Sequence, residues 1–393
     1  MQQPRATLSS ATARNAGIDF LRGLSILLVL LNHLGLRIRL TDGVLGSGLP
    51  RELLNDLNFN GSEAVYIFFV ISGFLITSNA LLRWGSLDAI QLRGFYARRI
   101  ARILPCLVLL VGVLALLHFL GARDFVISRP GQSLPRAILS AFGLHLNWYE
   151  ARTGYLPASW DVLWSLSIEE VFYLGFPLMC VLLRRVWLVA PAMALLALAL
   201  PFSLGAIVNN PIWKEKAYLP GMAAIAMGVL GAITAKHFRP RSRRLLLPFY
   251  FVGVGGVIAV LGFEVQLWHW FGNGTILLLT FSAVCLVLAF QWSTAAGTQR
   301  RMIGMGWMCS FGRLSYEIYL THMFVVIAML HVYRGVGASI RWGVLWYAPT
   351  IALCWALGWV VARFFSGPFD HGIRRRLIGS RSRTTSMTEP MTV

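Results

Sequence analysis

Long apolar runs alternate with short polar segments along almost the whole chain. A helix needs about 20 apolar residues to cross a bilayer, and ten runs approach or exceed that length. They cover residues 17–38, 63–82, 100–120, 160–183, 187–208, 217–235, 245–263, 274–292, 308–332 and 343–366. The pattern therefore predicts an all-α, polytopic integral membrane protein with about ten transmembrane helices.

One further apolar run, 136–148, is too short to span and is polar at both ends. These properties are typical of a re-entrant or interfacial helix. If this run does not span and the N-terminus is cytoplasmic, the cytoplasmic segments hold 21 basic residues and the outer loops hold 11. If it did span, every later loop would change sides and this excess would disappear. The positive-inside rule therefore favours ten spans with both termini in the cytoplasm.

Composition agrees with a membrane protein: 57% of residues are hydrophobic and 13% are charged. The net charge is +19, with 35 Lys and Arg against 16 Asp and Glu. These basic residues lie in short loops, where they set topology, and no long basic segment is interleaved with aromatic residues. We therefore predict no nucleic-acid partner. The 5 cysteines are scattered singly in apolar stretches, which indicates small core hydrophobes and no metal site.

No internal repeat and no second domain emerge from the sequence. Residues 1–16 are polar and show no cleaved signal peptide, so we predict a short cytoplasmic N-terminal segment. Residues 17–369 form one membrane domain. The segment 370–393 is polar and is predicted to be a disordered cytoplasmic tail.

Ionisable residues inside predicted spans indicate function, because lipid disfavours them. Arg22 and His33 are eleven residues apart in the first span. That spacing puts both on one helical face, about 16 Å apart along the axis. Alternatively, Arg22 reaches the headgroups and His33 is a buried, hydrogen-bonded histidine.

Two further groups of charged residues lie in or beside spans. The stretch FYARRIARILP places Arg98, Arg99 and Arg102 at the cytoplasmic start of the third span. They are either a positive-inside anchor or a clamp for phosphate groups. Glu169 and Glu170 lie inside the fourth span and point about 100° apart on a helix. One is expected to face a site while the other pairs with an arginine.

A polar stripe runs along the ninth span. Tyr316, Tyr319 and His322 recur every three residues, and Glu317 lies beside them. This stripe serves either interhelical hydrogen bonding or a substrate site. Ser72 belongs to a small-residue step in the second span, which favours close helix packing over catalysis.

Taken in order, these motifs resemble the integral membrane acyltransferase-3 family, which includes bacterial O-antigen acetylases, Nod-factor acetylases and macrolide acylases. The resemblance covers roughly 17–369, nearly all of the chain. The matching motifs are Arg22 to His33, SGF at 72–74, the arginines at 98, 99 and 102, WSLSIEEVFYL at 164–174 and SYEIYLTH at 315–322. Trp164 and Tyr173 join the candidate site through the fourth of these motifs.

The resemblance implies a membrane-bound O-acyltransferase of the bacterial cytoplasmic (inner) membrane. It would move an acyl group, usually acetyl, from cytoplasmic acetyl-CoA to a sugar hydroxyl, so its partners would be acyl-CoA, a carbohydrate acceptor and membrane lipid. His33 would be the base or an acyl relay, and Arg22 would orient the donor or stabilise charge. Arg98 and Arg102 would hold CoA phosphates. Glu169 is the better second carboxylate.

The rival interpretation is a multi-span transporter or flippase for a glycan or small molecule, since ten spans with buried charges suit one equally well. Matched halves with broken helices are typical of transporters, and the sequence shows no such repeat. A non-catalytic scaffold leaves the polar residues unexplained. Trp148, Tyr149 and Tyr155 in the outer loop could stack on a sugar, although interfacial aromatics are common for other reasons.

Overall fold

The computed structural model describes residues 14–207, 209–240, 242–296 and 304–378. Within these ranges the secondary structure is helical and contains no strand. The α-helices are α1 Ala16–Gly35, α2 Arg51–Phe59, α3 Gly61–Trp84, α4 Leu92–Phe119, α5 Leu134–Phe142, α6 Leu146–Thr153, α7 Leu163–Leu183, α8 Val186–Leu198, α9 Leu200–Gly205, α10 Pro211–Lys216, α11 Tyr218–His237, α12 Leu247–Gly262, α13 Glu264–Phe271, α14 Gly274–Ala295, α15 Gly306–Arg313, α16 Ser315–Gly335, α17 Tyr347–Val361 and α18 Gly367–Ile378.

In the described residues, 10 helical segments are long and apolar enough to cross a membrane. Each overlaps one of the ten apolar runs, so the all-α polytopic fold with ten spans is confirmed. The third begins earlier than its apolar run, because α4 starts at Leu92 and its first turns contain the arginine-rich stretch. Those arginines therefore lie on the helix itself, in its first turns, and not in the loop before it.

The short run 136–148 is not one helix. It is divided into α5 and α6, of 9 and 8 residues, and neither is a candidate span. Leu144, between them, has a φ of 57°, in the left-handed region that breaks a helix. Its carbonyl accepts a hydrogen bond of 2.5 Å from the Tyr218 hydroxyl, so α11 holds this break in place.

The tail prediction was wrong at its start. Residues 370–378 continue α18 and are not disordered. Asp370 and Arg374, one helical turn apart, form an ion pair of 2.7 Å, and α18 packs against α4. The rest of the predicted tail, 379–393, and residues 1–13 of the predicted N-terminal segment lie outside the described residues.

Contacts along α16 fix the relative directions of the helices around it. Arg22 and His33 of α1 contact Ser315 and His322 of α16, so the two helices run in the same direction. The Tyr316 hydroxyl donates to the Ile103 carbonyl of α4 at 3.3 Å. Further along, the rings of Phe125, just beyond α4, and Phe324 stack at 5.7 Å. α1, α4 and α16 are therefore parallel.

α7 runs in the opposite direction. Its first turn meets α16 through Ser165, which donates to the Tyr319 hydroxyl at 2.7 Å. Its middle meets the start of α4, where the Tyr96 hydroxyl donates to the Leu174 carbonyl at 2.7 Å. Antiparallel α4 and α7 are what the topology requires if the chain between them does not cross the membrane.

Helices α3 and α11 pack so closely that their backbones are in contact. A Cβ atom on Gly73 would meet the carbonyl oxygen of Ile225, and one on Gly228 would meet the carbonyl oxygen of Val70. Small residues permit this contact, which drives helix association in a membrane. The small-residue step in the second span is thus a packing element, as its sequence indicated.

Candidate functional site

Two histidines from parallel helices meet inside the bundle. The rings of His33 in α1 and His322 in α16 have centroids 5.0 Å apart and planes tilted by 44°. His322 is completely buried, whereas His33 is partly exposed. The sequence placed His33 in the candidate catalytic set and His322 in the polar stripe, and the structure brings these two predictions together.

The tautomer of neutral His322 follows from its hydrogen bonds. Nδ1 lies 2.7 Å from the Tyr319 carbonyl oxygen and 3.2 Å from that of Ile318. Because carbonyl oxygens only accept hydrogen bonds, Nδ1 must carry the proton and donate it. Nε2 then carries the lone pair in the neutral ring. That atom is buried and has no hydrogen-bond partner among the described residues.

Arg22 lies at the other end of the same face of α1. Its Nη2 donates to the Ser315 hydroxyl at 2.8 Å. Arg22 and His33 thus both contact α16, which is the shared face that their spacing predicted. Their separation of about 16 Å along the helix means that one small group cannot touch both side chains.

The adjacent carboxylates occupy different surroundings. Glu169 accepts a hydrogen bond of 3.1 Å from the Tyr173 hydroxyl, which is also hydrogen-bonded to Ser72. Glu170 has one buried oxygen, Oε1, without a hydrogen-bond partner in the part of the chain that the structure describes. The Arg99 guanidinium lies 3.7 Å from the Tyr173 ring centroid and interacts electrostatically with both carboxylates.

The three arginines of α4 therefore separate into two kinds. Arg99 faces α7, where it lies over the Tyr173 ring and interacts electrostatically with Glu169 and Glu170. Arg98 lies over the Trp84 ring at 5.2 Å, and Arg102 is exposed, 5.7 Å from the Tyr316 ring. Arg98 and Arg102, one helical turn apart, are the pair that remains available to a phosphate-bearing ligand.

The remaining candidates make hydrogen bonds or ring contacts between helices. Tyr316 and Tyr319 bond to α4 and α7, as described above. Glu317 Oε1 accepts a bond of 2.8 Å from the Ser366 hydroxyl. Trp164 packs edge-on against Phe69 at 6.2 Å. These contacts match the interhelical alternative for the stripe.

A buried charged cluster near His33 was missed by the sequence analysis. Lys216 is fully buried, and its Nζ lies 2.6 Å from Glu150 Oε2 and also pairs with Asp161. Its charge is close enough to His33 to act electrostatically on that ring. The partners are 66 and 55 residues away in sequence and lie in or beside segments assigned as outer loops, so no local pattern indicated the cluster.

The aromatic residues of the loop that the sequence predicted to lie outside are of two kinds, buried and exposed. Tyr149 is buried, and its hydroxyl accepts a bond of 2.9 Å from the Ser133 amide. Trp148 and Tyr155 are exposed, and Arg152 stacks on Trp148 at 4.0 Å. Partial burial and the Glu215 carboxylate raise the pKa of Tyr155 to about 12. Its phenol therefore stays protonated at neutral pH and donates to Glu215 at 2.9 Å.

Across the described ranges no group of three or more His, Cys, Asp or Glu side chains could hold a metal ion. The 5 cysteines are free and buried.

The fold and these contacts define a multi-pass α-helical membrane protein with a polar centre bounded by α1, α4, α7 and α16. The chain belongs to the acyltransferase domain family Acyl_transf_3, whose model matches residues 15–359. This finding confirms the family that the motifs indicated.

Curated relatives of this chain include O-acetyltransferase OatA of Staphylococcus aureus strains NCTC 8325 / PS 47 and COL. Each is 25% identical over 332 residues, which is 79% of this chain and 50% of the relative. The chain thus spans about half the length of the curated relatives it matches. No solved structure matches it.

Proposed function

We propose that this protein is an O-acetyltransferase of the bacterial cytoplasmic membrane, with both termini in the cytoplasm. It takes an acetyl group from acetyl-CoA on the cytoplasmic side and transfers it to a sugar hydroxyl of a cell-surface glycan or glycosylated metabolite. Family membership and the O-acetyltransferase relatives support this proposal. The observation that carries it is the polar face of α1, with Arg22 near one end and His33 near the other.

In the reaction, the acceptor oxygen bonds to the acetyl carbon, the carbon–sulfur bond breaks, and the hydroxyl proton ends on the CoA sulfur. A base near neutral pKa assists this transfer, and imidazole is suited to that task. His33 is the histidine of the pair that is partly exposed to a substrate. It acts either as this base or as a nucleophile that carries the acetyl group between donor and acceptor.

Arg22 is assigned to the donor. Because it lies about 16 Å from His33 along α1, it cannot stabilise charge on a carbonyl that reacts at His33. Arg98 and Arg102 would hold CoA phosphates, since arginine offers a planar fork of donors to phosphate oxygens. Neither forms an ion pair with a carboxylate among the described side chains, unlike Arg14 and Arg374.

On the outer side, the exposed rings of Trp148 and Tyr155 are suited to stack against a sugar. The buried Lys216 cluster adjoins this loop, since the Lys216 ammonium lies 4.5 Å from the Tyr155 ring centroid, and its charge also acts on His33. The acceptor would then approach His33 from the loop side.

The test is transfer of radiolabel from acetyl-CoA into membrane or secreted glycan, with variants at matched expression. His33→Ala is expected to lower incorporation by a factor on the order of 10² or more. The matched control is His331→Ala, which removes an exposed histidine further along α16 that pairs with Asp124 at 2.6 Å. Its incorporation is expected to equal that of the wild type.

Full incorporation in the His33→Ala protein would contradict the proposal. If the wild type incorporates no label, binding of CoA to the purified protein decides the matter. Absence of CoA binding would exclude acetyl-CoA as the donor and favour the transporter alternative.

A further inference from the structure

The unpartnered Nε2 of His322 calls for an explanation. A buried polar atom without a hydrogen bond is uncommon and costs free energy. The site is completely buried, and a phenylalanine of similar size would fill it without that cost. The His322 ring lies next to the ring of His33, with 5.0 Å between the two ring centroids.

We propose that His322 is the positioning residue of His33. Its Nε2 accepts the N–H of the His33 ring when substrate is bound, as a third group orients the base in a catalytic triad. This inference rests on the proposed function, in which His33 is the base. His322 is fixed by the carbonyls of Ile318 and Tyr319, whereas partly exposed His33 can rotate to close the distance.

This hydrogen bond determines which nitrogen of His33 reacts. With one N–H donated to His322, the other nitrogen of His33 carries the lone pair and faces the substrate. That nitrogen takes the hydroxyl proton while the oxygen–carbon bond forms and the carbon–sulfur bond breaks. The proton then passes to the CoA sulfur, and neutral His33 is restored with its bond to His322 intact.

The first test compares His322→Gln with His322→Phe in purified, monodisperse protein. Glutamine keeps an amide N–H for the carbonyls and an oxygen acceptor for His33, whereas phenylalanine keeps only the volume. His322→Phe is expected to lower kcat on the order of 10²-fold without changing KM for acetyl-CoA. His322→Gln is expected to stay within about 10-fold of the wild-type kcat.

Wild-type kcat in His322→Phe would overturn the proposal. Equal losses of kcat in the two variants would also overturn it. They would show that a hydrogen-bond acceptor at position 322 makes no difference to the reaction.

A second measurement does not depend on enzyme activity. Diethyl pyrocarbonate acylates neutral histidine, and the modification rate of His33 can be followed by mass spectrometry with exposed His331 as the internal reference. The rate at His33 should fall several-fold in His322→Phe and stay near wild type in His322→Gln. An unchanged rate in His322→Phe would refute the pairing. A changed rate in a protein that transfers no acetyl group would support the pairing and refute the proposed function.

Discussion

At the scale of single residues, neighbours in sequence have different tasks. Arg98 and Arg99 belong to one motif, yet only Arg99 lies over the Tyr173 ring and interacts electrostatically with the two carboxylates. Arg98 lies over Trp84, and the charges of Arg83 and Arg374 act on it. Removing Arg99 would leave Glu169 and Glu170 within the bundle without their cation.

We therefore expect Arg99→Leu to lower the free energy of unfolding by about 1–3 kcal/mol, the cost of leaving a buried polar or charged group without its partner. Arg98→Leu should leave unfolding unchanged and raise KM for acetyl-CoA. Thermal unfolding in detergent, together with acetyl-CoA kinetics on the same samples, checks both. Equal melting temperatures for the two variants would contradict the internal assignment of Arg99.

The sequence could identify these charged positions but not their partners. Spacing placed Arg22 and His33 on one face, because a helix has a fixed rotation per residue. It could not say which of Arg98 and Arg99 faces α7, since that depends on how two helices pack. The His33–His322 pair and the Lys216 cluster join residues far apart in the chain, so only the fold reveals them.

At the scale of elements, the close packing of α3 on α11 determines the position of Ser72, a polar residue of the candidate site. Gly73 contacts the backbone of α11, and its neighbour Ser72 reaches Tyr173 of α7. Any side chain at 73 would push α3 away from α11 and disturb the hydrogen bonds from Ser72 through Tyr173 to Glu169.

We expect Gly73→Leu to lower the free energy of unfolding by about 3 kcal/mol, at the upper end of the usual cost of overpacking. The matched control is Gly255→Leu, at an exposed position of α12 where an added Cβ meets nothing within 4 Å. Thermal unfolding in the same detergent compares the two. Similar melting temperatures would mean that α3 and α11 can separate without cost.

The ten apolar runs could be predicted, because the bilayer requires a certain length and hydropathy of each span. The points at which a helix is interrupted could not be predicted. Leu144 leaves the helical region at a site held by Tyr218, and Leu314 separates α15 from α16 within one apolar run. Such breaks depend on contacts with distant helices and carry no strong local signal.

At the scale of the whole molecule, the helix directions specify which loops share a side. Parallel α1 and α4, with antiparallel α7, put the segment after α1 and the segment after α4 on the same face. The loop between α3 and α4 lies on the opposite face. From the charge asymmetry we propose that this second face is the cytoplasmic one.

Single introduced cysteines test this arrangement, because the native cysteines are buried. Ser47→Cys and Ser128→Cys, at exposed positions, should react with a membrane-impermeant maleimide in intact cells. Asp88→Cys, equally exposed, should react only after the cells are permeabilised. If Cys at position 128, like Cys at position 88, reacts only after permeabilisation, the direction assigned to α4 is wrong.

The polar face of α1 has a consequence for the cell that hosts it. A row of charged and ionisable groups through a bilayer is also a route for protons and small ions. Arg22 is tied to Ser315, and the His33 ring packs against His322, so side chains close this route at two levels. We therefore expect these two contacts also to limit ion leakage through the bundle, and their removal to lower the proton-motive force of the host cell.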